Sequence, residues 1–308
     1  MRLKPRALAP GDRLAVIAPA SPFLREEFDQ GVAELRGLGF VPDYDDSVFA
    51  RQTYVAGPAA LRADALRRAW RDPSIAGIIG VRGGYGSAQL LPLLDAAEAR
   101  RASKPFIGYS DLTAILTFLT GNCEIVAFHG PMIAGRLAKG EAGYDRSSFE
   151  RVLCRKEPAG EFAPSAAETL KKGEASGILT GGTLTQLLAS FGTPFAFDPP
   201  NGHVLFLDEV AERPYRLDRM ITQLRQSGVL ARASAIVCGE LPRCDEPSGQ
   251  PTARATIADV LADFHGPVIF GFPSGHTTGP AMTLPFGVAC RVVAGTHASI
   301  VIEESAVS

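Results

Sequence analysis

Residues 107–116 read IGYSDLTAIL, an apolar run that ends in a glycine and is followed by a serine, an aspartate and apolar residues at helical spacing. The apolar run predicts a β-strand, and the spacing after Asp111 predicts a helix. Ser110 is therefore expected in a tight turn between a strand and a helix. Such turns lie at the carboxyl edge of a parallel sheet, where open α/β folds gather their small-molecule sites.

The rest of the first half repeats this alternation of strands and helices. Amphipathic helices are predicted at 26–39 and at 61–72, the second with its arginines facing water. Apolar runs without polar alternation, separated by helices, are typical of a parallel sheet covered by helices on both faces. The predicted strands are RLAVIAPA (13–20), AGIIGVRG (76–83), KPFIGYS (104–110) and EIVAFHG (124–130).

A polar segment at 136–175 separates this half from a second one, whose last 40 residues carry several strand signals and no helix signal. We predict an N-terminal α/β domain at 1–145 that carries the nucleophile, a linker at 146–172 and a β-rich C-terminal domain at 173–308. The linker is expected to begin with a short helix near 146–155. In the second half the predicted strands are 203–210, 234–240, 267–272 and 297–305, and the predicted helices lie near 183–191, 214–227 and 253–264.

The composition argues against several classes of protein. The chain has 308 residues, is 46% hydrophobic and carries a formal net charge of −2, so without a basic block it is not expected to bind nucleic acid. Its five scattered cysteines argue against a disulfide framework and favour the cytoplasm. The apolar stretch at 14–20 predicts a strand rather than a secretion signal. No run approaches the roughly 18 apolar residues of a membrane span, so no membrane partner is expected.

Ser110 has two interpretations. As a nucleophile it would use the backbone N–H groups of the following helix to stabilise a developing oxyanion. As a structural residue it would cap that helix, since serine is a preferred N-cap. Leu112 stands where the usual G-x-S-x-G pattern has its second glycine.

A serine nucleophile needs a base, and the chain has five histidines. His276 lies in FGFPSGHTTGPAMTLPFG (270–287), a composition typical of a loop, and loops on rigid scaffolds often carry active residues. His129 ends a predicted strand and is interpreted as a core or structural histidine. The other three, which lie next to predicted strands or at a helix end, are His203, His265 and His297.

The base in turn needs a carboxylate to hold its tautomer. Asp208 and Glu209 end a predicted strand, and alternation would point them to opposite faces, so only one of them can meet the histidine. Ordinary ion pairing is the alternative, with three nearby arginines as partners. Those arginines are Arg213, Arg216 and Arg219.

The segment GVRGGYGS (80–87) is a third candidate element. Its adjacent glycines, Gly83 and Gly84, let the backbone approach a ligand and present N–H groups, although a plain tight turn is the alternative. Neither nucleotide-binding glycine pattern is satisfied. No metal-ligand pattern is present either, so no metal or other cofactor is expected. Arg82 is a candidate for a substrate carboxylate or for pairing with an acid at the sheet edge, and Tyr85 is a further candidate for substrate binding.

Taken together, these segments resemble the LD-carboxypeptidase family, the serine peptidases of the S66 type, over nearly the entire chain. The resemblance implies that Ser110 is the nucleophile, that His276 is the general base and that the acid lies at 208 or 209. The family usually has Glu then Asp there and this chain has Asp then Glu, so Asp208 takes the triad position and Glu209 is the alternative acid. The segments that carry the resemblance are IAPASP (17–22), VRGGYGS (81–87), GYSDLTAIL (108–116), HGPM (129–132), GGTLTQLLASFGTP (181–194), LFLDEVAERPYRLDRMITQL (205–224) and FGFPSGH (270–276).

The resemblance also implies a reaction. The family hydrolyses the amide bond between an L-centre and a terminal D-amino acid, usually releasing D-alanine from the cytoplasmic murein tetrapeptide. The oxyanion would rest on the backbone N–H groups of Asp111 and Gly84, and family members are commonly homodimers. Two alternatives are a self-immunity hydrolase that cleaves peptidyl-nucleotides of the microcin C kind and a non-catalytic peptide-binding module on the same fold.

Overall fold

The computed structural model of the protein describes residues 2–308, which form two sheets whose strands come from both halves of the chain. The strands are β1 (Arg13–Ile17), β2 (Val41–Asp43), β3 (Ile75–Gly80), β4 (Phe106–Gly108), β5 (Ala127–His129), β6 (Gly160–Phe162), β7 (Glu168–Lys171), β8 (Gly173–Thr183), β9 (His203–Asp208), β10 (Ala233–Gly239), β11 (Val268–Phe272), β12 (Leu284–Phe286), β13 (Ala289–Ala294) and β14 (Ala298–Ile302).

The helices connect these strands and flank the first sheet. The α-helices are α1 (Arg25–Gly37), α2 (Ala59–Arg71), α3 (Ala96–Ala102), α4 (Thr113–Thr117), α5 (Arg146–Leu153), α6 (Leu184–Ala189), α7 (Pro214–Gln226), α8 (Val229–Arg232) and α9 (Ala253–Val260). Short 3₁₀ segments lie at Asp46–Phe49, Ser87–Leu93, Ser110–Leu112 and Leu137–Ala142, and a π-helical turn follows α4 at Phe118–Asn122. No described helix is long and apolar enough to cross a membrane.

The first sheet has the strand order β12-β5-β4-β3-β1-β2 and is parallel except for β12. The carboxyl ends of β1, β3, β4 and β5 therefore meet at one edge. The segment with the Gly83–Gly84 turn follows β3, and Ser110 follows β4, so both reach that edge. The predicted α/β class and the parallel sheet are confirmed.

The second sheet has the order β6-β14-β13-β8-β9-β10-β11-β7. Its central strands β8, β9, β10 and β11 are parallel, and the outer pairings are antiparallel. Because β9 ends at Asp208 and β11 ends shortly before His276, both residues also lie at a carboxyl edge. One apolar core runs through the first sheet and onto one face of the second, and a separate core lies under α6, α7 and α9.

The segment predicted as a linker, 146–172, is part of the folded structure. It begins with α5, as expected, but it then contributes both edge strands of the second sheet. Strand β6 pairs with β14, and β7 pairs with β11. These partners lie about a hundred residues or more further along the chain, so no local sequence pattern reveals the pairing. The domain boundaries stay a prediction.

One expectation about α2 is wrong, because Arg62 does not face water. Its guanidinium is buried and donates to the carbonyl oxygens of Pro19 (2.7 Å), Gly86 (2.8 Å) and Gly57 (2.9 Å). Gly57 directly precedes α2, whereas Pro19 and Gly86 belong to loops that are distant from it in sequence. Burial lowers the pKa of Arg62. Arg62 thus ties the loop after β1 to the loop after β3.

Candidate active site

Ser110 follows the end of β4 in a backbone conformation that is unusual for a serine. Its φ is +64°, and the 3₁₀ turn at Ser110–Leu112 leads directly into α4. A residue other than glycine held there costs about 1–3 kcal/mol, and such strain concentrates at functional sites. Ser110 does not cap the helix: neither this 3₁₀ turn nor α4 has a side-chain capping bond. The turn instead has the character of a nucleophile elbow.

The glycine turn after β3 lies directly against this serine. A Cβ atom placed on Gly83 would lie 2.8 Å from Ser110 Cβ, 3.0 Å from Ser110 Oγ and 3.2 Å from the backbone nitrogen of Asp111. Only glycine leaves room at that position. Gly84 adopts a φ of +97°, a conformation that glycine reaches without steric cost. The predicted glycine turn and the turn that carries Ser110 therefore pack against each other and form one wall of the candidate site.

Two polar side chains hold that wall together. Ser21 donates its N–H to Gly83 O (3.1 Å), and its Oγ accepts from the N–H of Tyr85 (3.0 Å). The buried Asp111 carboxylate accepts the N–H of Ser87 at 2.8 Å, and burial raises the pKa of Asp111. Ser21 belongs to the segment IAPASP (17–22), which follows β1 to the same edge, but no feature of that segment predicts its contacts with the glycine turn.

His276 and Asp208 lie together at the carboxyl edge of the second sheet. The Asp208 side chain is fully buried, and its Oδ2 lies 2.7 Å from His276 Nδ1. The backbone N–H of His276 also points at the two carboxylate oxygens, at 3.1 and 3.2 Å. With Nδ1 held by the carboxylate, Nε2 is the nitrogen left to exchange a proton.

Glu209 points to the other side of the strand, as alternation predicts. Its Oε2 accepts the N–H of Thr185 (2.9 Å) and the Thr185 hydroxyl (2.6 Å), while its Oε1 accepts the N–H of Val210 (3.0 Å). Burial raises the pKa of Glu209. Of the two adjacent acids, Asp208 is the one that contacts His276.

The three arginines considered as partners for these acids make other contacts or lie apart from them. Arg213 pairs with Glu246 (3.3 Å), and Arg216 pairs with Glu212 (3.1 Å). The ion pair recorded for Asp208 is with His276. The arrangement at the end of β9 is therefore not an ordinary arginine–carboxylate pair.

The two halves of the site meet through the residue before the serine. The Tyr109 ring packs edge-on against the His276 ring, with 5.2 Å between centroids. Nearby, the N–H of Thr183, at the end of β8, donates to the Thr113 hydroxyl in α4 at 3.0 Å. Among the described residues no hydrogen bond joins Ser110 Oγ to the His276 ring. Such contacts often tighten only when substrate is bound.

The other buried histidines are structural, in line with the sequence interpretation of His129. His129 is fully buried, its Nδ1 lies 3.1 Å from Ser274 Oγ, and burial lowers its pKa to about 4. His203 is buried at the start of β9 with its Nδ1 2.8 Å from Pro200 O, and burial lowers its pKa also. Burial therefore disfavours the charged form of both imidazoles.

Arg82 and Tyr85, the candidates for substrate contacts, are exposed beside the glycine turn. Arg82 Nη1 donates to the carbonyl oxygen of Pro22 (3.2 Å), so its recorded partner is not an acid. The half-exposed Tyr85 ring packs edge-on against the exposed ring of Tyr54, with 5.4 Å between centroids. A cationic side chain and an aromatic pair therefore lie beside the glycine turn.

Two family models match the chain. The LD-carboxypeptidase N-terminal domain matches residues 14–130, and the LD-carboxypeptidase C-terminal domain matches residues 176–292. A Streptomyces coelicolor protein that carries the name of a carboxypeptidase is 36% identical over 303 residues, which is 96% of this chain and 94% of that protein. The murein tetrapeptide carboxypeptidase of Pseudomonas aeruginosa is 31% identical over 271 residues, 86% of this chain and 88% of that protein.

Solved structures share the fold. The muramoyltetrapeptide carboxypeptidase from Oxalobacter formigenes superposes with a TM-score of 0.83 and 27% identity, over 95% of this chain and 99% of that one. The microcin C7 self-immunity protein MccF in complex with glutamyl sulfamoyl guanosine superposes with a TM-score of 0.90 and 24% identity, over 99% of this chain and 100% of that one.

The fold and these matches define a peptidase of the carboxypeptidase class. The chain belongs to the LD-carboxypeptidase family, which confirms the resemblance inferred from the sequence.

We predict that Gly83→Ala lowers kcat without unfolding the protein. The added Cβ must push the turn or Ser110 aside, and a displacement of about 1 Å in such a site costs on the order of 10²-fold in rate. Steady-state kinetics and thermal melting check this. Gly37→Ala at the end of α1, where a Cβ would meet nothing within 4 Å, is the control and should leave kcat unchanged. A wild-type kcat in Gly83→Ala would show that the turn does not constrain the serine.

Proposed function

We propose that the protein is a serine LD-carboxypeptidase that releases terminal D-alanine from the murein tetrapeptide. The observation that carries the proposal is the His276–Asp208 pair, which lies beside the turn that holds Ser110 in a left-handed conformation against Gly83. The choice of substrate is supported by the Pseudomonas aeruginosa and Oxalobacter formigenes proteins, whose names specify murein or muramoyl tetrapeptides.

In the proposed reaction Ser110 Oγ attacks the carbonyl carbon of the terminal amide while His276 Nε2 takes the hydroxyl proton. Asp208 stabilises the imidazolium through Nδ1. The N–H groups of Asp111 and Gly84 would face the oxyanion, and one such donor is worth about 3–4 kcal/mol of barrier. His276 then gives its proton to the leaving amine as the C–N bond breaks. A water molecule, deprotonated by His276, hydrolyses the ester and restores the serine.

We expect Ser110→Ala to lower turnover by about 10⁴-fold or more with the fold retained, because the hydroxyl forms the covalent bond. Mass spectrometry of free D-alanine from the murein tetrapeptide measures this, with circular dichroism as the check on folding. Near-wild-type release of D-alanine by Ser110→Ala would exclude the mechanism.

Paired substitutions test which acid acts in the triad. Asp208→Asn should lower kcat by about 10⁴-fold, because the amide stabilises the wrong imidazole tautomer. Glu209→Gln should keep kcat within about tenfold, since Glu209 contacts Thr185 and Val210 and not the imidazole. Kinetics of both variants on one substrate decide the question. A dead Glu209→Gln beside an active Asp208→Asn would reverse the assignment.

Arg82 is proposed to bind the terminal carboxylate of the substrate, because it is exposed beside the turn and its recorded partner is a carbonyl oxygen. Arg82→Gln should raise KM about 10- to 100-fold with kcat nearly unchanged, because it removes a charge-assisted hydrogen bond worth about 1.5–3 kcal/mol. The same peptide with a C-terminal amide is the control substrate. An equal effect of Arg82→Gln on the acid and the amide would assign Arg82 another role.

A peptidyl-nucleotide hydrolase is the second candidate. The Escherichia coli microcin C7 self-immunity protein MccF is 26% identical over 316 residues, 92% of this chain and 91% of that protein. Parallel assays of the wild-type protein on murein tetrapeptide and on aspartyl sulfamoyl adenosine separate the two substrates. Faster cleavage of the sulfamoyl adenosine would favour the second candidate.

The non-catalytic alternative makes a different prediction. A peptide-binding module would bind the tetrapeptide without releasing product, and a serine-reactive phosphonate would not label Ser110. Labelling of the wild-type protein that is absent from Ser110→Ala would exclude this alternative. A cytoplasmic location, which the five scattered cysteines favour, and a homodimer, which the family resemblance implies, are part of the proposal.

A further inference from the structure

The loop that carries His276 has no regular secondary structure of its own. It spans 273–283, between the end of β11 and the start of β12. Asp208 fixes the imidazole, but the position of the loop relative to Ser110 needs contacts from the half of the chain that carries the serine. Those contacts come from the eight residues HGPMIAGR (129–136), here called the cradle segment. The segment begins with the last residue of β5.

Arg136, at the end of the cradle segment, is the first contact. Arg136 is only 9% exposed, and its guanidinium donates four hydrogen bonds to backbone carbonyls. Two of these carbonyls flank His276 directly and a third lies three residues after it. The acceptors are Thr277 O (2.7 Å), Gly275 O (2.8 Å), Gly279 O (3.0 Å) and Gly143 O (3.3 Å). A planar guanidinium serves such a set of acceptors, whereas a lysine ammonium offers one compact donor group.

His129, at the start of the cradle segment, is the second contact. The Ser274 hydroxyl donates to Met282 O at 2.8 Å, so Ser274 Oγ is left to accept from His129 Nδ1 at 3.1 Å. The imidazole also stacks on Phe286, with 5.2 Å between centroids. The imidazole packs so closely against the loop that a Cβ atom on Gly275 would lie 2.7 Å from His129 Cε1. His129 therefore fixes the residues that lead into His276.

We propose that Arg136 and His129 are positioning residues, which hold the His276 loop in register with Ser110. The inference rests on the proposed role of His276 as the base. Both side chains belong to the cradle segment, which begins at the end of β5 beside β4, the strand before Ser110, and both contact the loop that carries His276. They therefore act on the rate through the placement of His276.

The first test is Arg136→Lys, which keeps the positive charge and loses the four-acceptor geometry. We expect kcat to fall on the order of 10- to 100-fold, as for a displacement of about 1 Å, with KM within about twofold. Arg232→Lys is the matched control, because Arg232 also bonds a carbonyl, Pro199 O at 2.8 Å, next to the amino ends of β9 and β10. Arg232→Lys should leave kcat unchanged.

A substrate-independent measurement separates positioning from general destabilisation. In protein labelled with ¹⁵N-histidine, the His276 Nδ1 proton bonded to Asp208 should give a downfield NMR signal that is absent from His276→Gln. We expect Arg136→Lys to broaden or shift this signal at temperatures well below its melting transition, and Arg232→Lys to leave it unchanged. If wild-type protein shows the signal but cleaves no tetrapeptide, the proposed function fails while the positioning roles remain testable by the signal.

A second pair of variants keeps the proposal testable if Arg136→Lys does not fold. His129→Asn retains an N–H donor near the position of Nδ1, whereas His129→Leu removes it. We expect the downfield signal and most of kcat to survive in His129→Asn and to be lost in His129→Leu. An unchanged signal and kcat in both Arg136→Lys and His129→Leu would overturn the proposal, as would equal losses in Arg232→Lys.

Discussion

The 2.7 Å contact between His276 Nδ1 and Asp208 Oδ2 requires a carboxylate that is fully removed from water. A buried carboxylate is tolerated only where donors surround it. Here the donors are the ring and the backbone N–H of His276, supplemented by the Thr183 hydroxyl at 3.4 Å. Two of these three groups belong to a loop without regular structure. The geometry of the site therefore depends on how that loop is held.

Contacts between the two halves of the chain hold the His276 loop in place. Strand β12, which follows the loop, leaves the second half and pairs with β5 at the edge of the first sheet. The chain ends are joined as well, because Ala7 N donates to Ser308 O and Ser308 N donates to Pro5 O. The His276 loop thus runs from a strand of the second sheet, β11, to a strand of the first, β12. A shift of one sheet against the other would displace His276 from Ser110.

The sequence predicts the local elements of this arrangement well and the non-local ones poorly. Apolar periodicity locates α1 and α7 closely, and glycine and proline delimit β1, β3, β4 and β5. The sequence predicts a linker at 146–172 and misses the two edge strands within it, because their partners lie far along the chain. Helical periodicity places Arg62 on the surface, because it does not reveal the remote carbonyls of Pro19 and Gly86 that Arg62 binds. For the same reason, IAPASP (17–22) and HGPM (129–132) are visible only as motifs without a role for Ser21 or His129 in holding the site, and no motif includes Arg136.

The order of the two acids shows how local geometry decides a role. Gly275 has a φ of +73°, and a Cβ there would lie 2.4 Å from Asp208 Oδ2, so the loop approaches the strand end as closely as the backbone allows. That approach suits the short aspartate side chain, and a glutamate at 208 would carry its carboxylate one methylene further into the loop. At 209 the longer side chain faces away and reaches both donors of Thr185. In this chain each acid therefore has a length that fits the donors on its own side of the strand end, His276 for Asp208 and Thr185 for Glu209.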